Sequence, residues 1–323
     1  MLSQPACVLR SLRCLVLVLM MGSLSIAVRA SPLDPSPTQL STGLYNGSVD
    51  DLTVSTGRAP TGLPGGRRSS VESISALGAG IAAFGVELYP NEAMHYFPNA
   101  ADPGEWLQVV DTTGMAYYAG DFVGHDFSKL YVIDDNLKEL HTLSTADGSR
   151  TTIGGCSPHS GHMWTGATGT AEGVLYASSN DGVSSYLYTV NTATGAATTV
   201  GQITGASAII DIAINEDGEM YGLDISADTL VRIDPVTGAG TVVGSIGFNA
   251  NYAQGMDFEY GSNVLYLAAF DEDAFRGELR TADTSTGSTT LVGVFPDNAE
   301  VDALAFTPPT AQYVQNAGFG SHF

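Results

Sequence analysis

The sequence predicts an all-β chain folded as a β-propeller of five four-stranded blades. Three observations carry this. First, Ile209 to Gly247 holds four short apolar runs, each closed by a turn signal. Runs of about 4–8 residues rich in Val, Ile, Thr and Tyr, bounded by Gly, Asp or Asn, read as strands joined by hairpins. Second, the unit recurs: a Tyr preceded by Leu or Met stands at Tyr89, Tyr131, Tyr176, Tyr221 and Tyr266, at steps of 42, 45, 45 and 45 residues. Third, an apolar or aromatic residue stands eight before a turn glycine five times, at Tyr96/Gly104, Leu140/Gly148, Leu187/Gly195, Leu230/Gly238 and Leu279/Gly287. A period of about 40–45 residues with four strands per repeat is that of a propeller blade.

In chain order, residues 1–30 read as a secretory signal peptide. Arg10 and Arg13 precede the apolar run Leu15 to Met21, and Val28-Arg29-Ala30 stands before Ser31. Gly22, Ser23 and Ser25 interrupt the run before it reaches bilayer length. The expectation is a secreted or periplasmic bacterial protein with no membrane span in its mature chain. Residues 31–75 are rich in Pro, Ser and Gly, without apolar periodicity, and read as a disordered leader.

The propeller is expected over 81–307. Its N-terminal repeat supplies Phe84 to Tyr89, Met94 to Phe97 and Trp106 to Val110 as second, third and fourth strands. Complete blades follow at 117–154, 162–204, 209–247 and 255–295. Val301 to Phe306 is then an orphan first strand. Pairing it with the N-terminal repeat completes a fifth blade and removes the exposed strand edges. The competing reading draws additional strands from Ile74 to Ala83. Residues 308–323 are a C-terminal tail.

Composition narrows the partners. The formal net charge is −22, and without the three Arg of the signal segment 9 basic side chains face 34 acidic ones. Such a field repels nucleic acid and attracts cations. Of the three cysteines, Cys7 and Cys14 lie in the signal segment, which leaves Cys156 without an intramolecular disulfide partner. A monomer is expected.

The stretches LYTVNTATGAATTVG, LVRIDPVTGAGTVVG and ELYPNEAMHYFPNAADPG resemble secreted bacterial β-propeller repeat proteins of the NHL/quinoprotein-like superfamily, in a group without assigned activity. The resemblance covers about residues 81–307. It implies a secreted propeller and carries over no catalytic residue. The chain departs from better-known propellers: it has no regular Trp-Asp blade ending, no kelch double glycine and no blade-by-blade Trp signature of the quinone enzymes.

Candidate sites follow from the expected ring. First strands line the central channel. Asp121 and Asp211 each fall ten residues before their Tyr, Asp257 falls nine before, and Asp302 matches by pattern, with Gly166 at the corresponding place in the remaining blade. Four converging carboxylates suit a hard cation such as Ca²⁺ at the channel mouth. Crowded carboxylates can also share a proton as an acid/base pair, or accept hydrogen bonds from backbone N–H groups and lock blade to blade. The loop from Cys156 to Trp164 and the loop from Phe248 to Gln254 are expected on the face formed by the fourth-to-first and second-to-third strand connections. His162, Trp164, Asn251 and Tyr252 would there suit a sugar or another neutral polar ligand. His159 with His162 could hold a transition metal, and Cys156 with His159 could form a nucleophile pair. Asn180-Asp181-Gly182 and Asp271-Glu272-Asp273 read as solvated acidic loops. No G-x-S-x-G, phosphate-cradling glycine loop or H-E-x-x-H occurs.

The expected function is a secreted, non-enzymatic binding module for an extracellular ligand, glycan or protein partner, with Ca²⁺ as the candidate cofactor. The alternative is a metal-assisted hydrolase, lactonase or lyase acting at the channel through the four Asp with His162. A purely architectural surface component is the third reading.

Overall fold

Among the described residues each apolar run of the repeats forms a strand. The computed structural model describes residues 81–251 and 254–308. In chain order the strands are β1 (Ala83–Tyr89), β2 (Ala93–Phe97), β3 (Leu107–Asp111), β4 (Tyr117–Val123), β5 (Asp126–Asp134), β6 (Glu139–Ser144), β7 (Arg150–Gly155), β8 (Met163–Gly169), β9 (Leu175–Asn180) and β10 (Ser185–Val190). There follow β11 (Ala197–Ile203), β12 (Ile209–Ile214), β13 (Met220–Asp224), β14 (Thr229–Ile233), β15 (Gly240–Ser245), β16 (Gly255–Phe258), β17 (Leu265–Asp271), β18 (Arg276–Ala282), β19 (Thr289–Val294) and β20 (Glu300–Phe306). They make five antiparallel four-stranded sheets, four of them consecutive meanders. The fifth has the order β20-β1-β2-β3. The ends of the propeller are therefore clasped as the repeat count requires: Ala83 pairs with Phe306, Phe84 with Ala305 and Val86 with Asp302. Thr307 N donates to Ala82 O at 2.9 Å just past the strand. The first strands neighbour one another around the axis in the order β20, β4, β8, β12, β16 and back to β20.

Burial falls from the axis outward. β12 is buried along its whole length, whereas no residue of β15 is buried and half are exposed. The core is a set of apolar seams between sheets, such as Trp164, Leu175 and Ala177 of one blade against Ile133, Leu140 and Ala119 of the preceding one. Each fully buried aliphatic side chain there contributes about 1.5–3 kcal/mol.

A second seam repeats on the outside. Asn191, Asp234 and Asp283 open the third-to-fourth-strand turns, accepting from the backbone N–H of Ala193, Val236 and Ser285 at 2.8–2.9 Å. Each turn ends in a left-handed glycine, Gly195, Gly238 or Gly287 (φ 79–81°). The turn lies on a glycine in the fourth strand of the preceding blade. A Cβ on Gly154, Gly201 or Gly244 would stand 2.0–2.3 Å from the carbonyl oxygen of Thr194, Thr237 or Thr286. Only glycine permits that approach.

The N-terminal blade corrects the sequence register. The bulge that follows Leu140, Leu187, Leu230 and Leu279 in the other third strands follows Met94 here, not Tyr96. Val86 faces Met94, so Phe84 holds the position that Tyr131, Tyr176, Tyr221 and Tyr266 hold elsewhere. Tyr89 ends β1 and is 60% exposed. A longer third-to-fourth-strand turn carrying Pro98 and Pro103 shifted the count. Residues 1–30, 31–75 and 309–323 and Tyr252 lie outside the described residues, so the expected signal peptide, leader and tail and the expected ligand contact at Tyr252 do too. Among the described residues no helix is long and apolar enough to cross a membrane.

Candidate functional site

All four channel aspartates point into the axial region, and they form two layers rather than one ring. Asp121 faces Tyr131 and Asp257 faces Tyr266 on the second strand. Asp211 faces Leu223, two residues beyond Tyr221, and Asp302 faces Val86, two beyond Phe84. Asp121 and Asp257 are therefore the outer layer, towards the first-to-second-strand hairpins. Asp211 and Asp302 are the inner layer.

Three of the four lock blades together. Asp121 Oδ1 accepts from its neighbour Phe122 N at 2.6 Å, and its Oδ2 accepts from Gly169 N at 2.7 Å and Thr168 Oγ1 at 3.2 Å in the next blade. Asp211 accepts from Ile212 N at 2.8 Å and, across the seam, Met256 N at 2.6 Å. Asp257 accepts from Phe258 N and from Phe306 N of β20, both at 2.7 Å. Gly166 carries no Asp for a steric reason: a Cβ there would stand 2.3 Å from Asp211 Oδ1. Asp302 differs, because neither of its oxygens has a hydrogen-bond partner. Burial raises the carboxyl pKa of all four, and the main-chain donors only partly offset it for the three that have them. Asp121 is pushed up to about 7.

The outer layer is the floor of a cavity of about 290 Å³. Its walls are the first-to-second-strand hairpins of four blades. Their acidic side chains Glu172, Glu216, Asp217 and Glu259 stand around the rim. One side is aromatic. His125 and Tyr260 pack edge-to-face at 5.3 Å, and Phe127 and Tyr260 at 5.7 Å. Asn263 Nδ2 donates to Asp217 Oδ2 at 3.0 Å and ties two hairpins together. No Lys or Arg lines the cavity among the described residues. The rim acids and the aromatic wall were not legible as one site, because the loops with conspicuous ligand chemistry, Cys156 to Trp164 and Phe248 to Gln254, belong to the opposite face. The available signal was an acid in hairpin after hairpin, as in Thr170-Ala171-Glu172-Gly173, Asn215-Glu216-Asp217-Gly218 and Glu259-Tyr260-Gly261.

On the opposite face the expected ligand residues are occupied by the fold. Trp164 is fully buried. Its Nε1 donates to Cys156 O at 2.9 Å, and its backbone N donates to Asp135 Oδ1 at 2.7 Å. His162 is 9% exposed, with Nδ1 3.3 Å from Ser179 Oγ and Nε2 3.5 Å from Asp181 Oδ2. Asn251 is half-buried, and its carbonyl oxygen accepts from Gln254 Nε2 at 3.0 Å. His159 meets Tyr188 Oη at 2.6 Å. Cys156 is buried, which pushes its thiol up to about 12, so it is not a thiolate nucleophile. Asp181 and Asp271 accept from the backbone N–H groups of their own turns. Among the described residues no three His, Cys, Asp or Glu side chains already converge as a metal ligand set.

No curated protein matches the chain. Solved structures that it resembles include a chain of the nidogen/laminin complex, at 10% identity and a TM-score of 0.49 over 72% of this chain and 100% of that one. They also include TolB from Acinetobacter baumannii, at 14% identity and a TM-score of 0.45 over 71% of this chain and 67% of that one. Regucalcin from Agrobacterium tumefaciens, a calcium-binding protein, is similar at 18% identity and a TM-score of 0.44 over 67% and 71%. At these scores the likenesses carry no argument about a site. A family model described as "Repeat of unknown function" matches residues 130–307, from within β5 to the residue after β20. The bulged third strands β6, β10, β14 and β18, the Asx-x-x-Thr-Gly turns and the closing strand all fall in that span, and the chain belongs to this repeat family, DUF6923.

Proposed function

We propose that the protein is an exported binding module. Its hairpin-face cavity captures a positively charged group, such as a primary amine or a lysine-like side chain, presented by an extracellular partner. One observation carries this reading: a cavity of about 290 Å³ has carboxylates on its floor and rim, an aromatic wall, and no Lys or Arg among its described lining. A cation over an aromatic face gains about 0.5–2 kcal/mol, more as water is excluded. The rim carboxylates steer it in from solution. The floor supports binding rather than turnover. Asp121 and Asp257 already accept two or more hydrogen bonds each, which leaves them poorly placed as nucleophiles or metal ligands. The Met1 to Ala30 pattern supports export.

The test is calorimetric titration with oligolysine, oligoglutamate and neutral glycans at low and moderate salt. Oligolysine binds, and its affinity falls with salt. Tyr260→Ala weakens it about 10-fold, on the order of the cation–π contribution. The double variant Glu216→Gln with Asp217→Asn weakens it further and flattens the salt dependence. Binding of a neutral glycan with none of oligolysine would replace this reading with sugar recognition.

A further inference from the structure

The inner layer of axial acids is unbalanced. Asp211 is satisfied by two main-chain N–H groups. Asp302 is 1% exposed, and both its carboxylate oxygens lack a partner. The register explains why. A bulge between β1 and β20 falls between Phe84 and Val86, directly after the Val86–Asp302 pair, and Ala303 takes a left-handed conformation (φ 48°) there. A bulge re-aims the side chains beside it. Asp302 is thereby removed from the pattern in which Asp121, Asp211 and Asp257 each reach the next blade. It is left facing acids. Asp211 on β12 and Glu300 on its own strand both act on it as like charges. The Tyr118 hydroxyl on β4 feels Asp302 together with Asp134, Asp135 and Glu92. Glu300 is itself mostly buried, and its carboxyl is pushed up to about 7. No Lys or Arg is among the groups acting on Asp302 or Glu300. Like charges in a low-dielectric region must be neutralised by protons or by a cation.

We propose that Asp302 anchors an inner cation site in the axial channel, distinct from the hairpin-face cavity, that takes one hard divalent cation of the Ca²⁺ type. Glu300 supplies the second carboxylate. Such a cation wants six to eight oxygens at 2.3–2.6 Å. With no further convergent acid ligand set among the described residues, water and main-chain oxygens complete the shell. The site does not depend on the hairpin face binding anything.

The experiment is a thermal melt of the purified protein in EDTA and then in excess Ca²⁺, at neutral pH. Ca²⁺ at about 100 times its Kd raises the Tm of the wild type by about 5–10 °C. Asp302→Asn abolishes that shift, Glu300→Gln weakens Ca²⁺ affinity at least several-fold, and Glu105→Gln, on an exposed third-to-fourth-strand turn, leaves the shift intact. Tb³⁺ gives an independent readout, because Tyr118, whose hydroxyl feels Asp302, is expected to sensitise its luminescence. Tyr118→Phe reduces that emission and keeps the Ca²⁺ shift. No Ca²⁺ shift in the wild type overturns the site, as does an equal shift in Asp302→Asn. If Asp302→Asn does not fold, unchanged Ca²⁺ affinity in Glu300→Gln together with unchanged Tb³⁺ emission in Tyr118→Phe overturns it.

Discussion

Asp121 and Asp302 are the same residue type on neighbouring inner strands, and they do opposite things. Asp121 takes three donors from two blades, among them two backbone N–H groups at 2.6 and 2.7 Å. An Asn side chain can accept at only one end. Its amide would turn two hydrogens towards Phe122 N–H or towards Gly169 N–H. Asp121→Asn is therefore expected to cost about 1–3 kcal/mol in denaturant unfolding, as a buried donor loses its partner. Asp302 faces no donor. With cations removed, Asp302→Asn is expected to leave stability unchanged or slightly raised. A loss at Asp302 as large as that at Asp121 would mean that the two carboxylates are braced alike. The four Asp positions were legible in the sequence, because apolar inner strands make an isolated acid conspicuous. Their division into two layers was not. Counting back from a tyrosine crosses hairpins of unequal length: β4 and β5 join through Gly124 and His125, whereas Asn215 to Glu219 separate β12 from β13.

Among elements, the third-to-fourth-strand turn is what joins one blade to the next on the outside. Its Asx opener and left-handed glycine were readable from local turn chemistry, as at Asn191 and Gly195. Its partner, the fourth-strand glycine, was not, since nothing local explains a glycine within β11 or β15. The explanation lies in the adjoining sheet: a Cβ on Gly201 would stand 2.1 Å from Thr237 O. Gly201→Ala forces backbone against backbone and is expected to lower stability by about 1–3 kcal/mol, as overpacking does. Gly155, beside a seam glycine but with open space around its Cβ position, is the control. An alanine there is expected to be neutral within about 0.5 kcal/mol. Equal costs at the two positions would remove the seam from the explanation of the repeat. The N-terminal blade breaks the same rules at once, with Pro103 lying over Gly293 and Val110 beneath Gly148, which is why its strands were found but its register was misread.

For the whole molecule, the ring closure was legible because an unpaired strand at each end of a repeat array calls for the other. The hairpin-face cavity was not legible, because sequence shows which hairpins are acidic but not which of them meet around one mouth. The buried acids also set the pH dependence. Asp121 and Glu300 have folded-state pKa values pushed up to about 7, above the ordinary carboxylate range of the unfolded chain. The stability they contribute is complete below about pH 4 and is lost as pH rises through 7. Exposed acids held down by their own turns, such as Asp234 and Asp283, act in the opposite sense only below about pH 4. In EDTA the Tm is expected to peak near pH 4–5 and to fall by several degrees towards pH 8. A Tm that climbs across that range would show these acids ionised and paired in the fold. A cationic group that enters among the first-to-second-strand hairpins is detected by NMR mapping of backbone amides during titration with oligolysine. The expected shifts are confined to Thr170–Gly173, Asn215–Gly218 and Glu259–Asn263. Shifts centred instead on His159–Trp164 and Asp181–Ser184, on the opposite face, would contradict that placement.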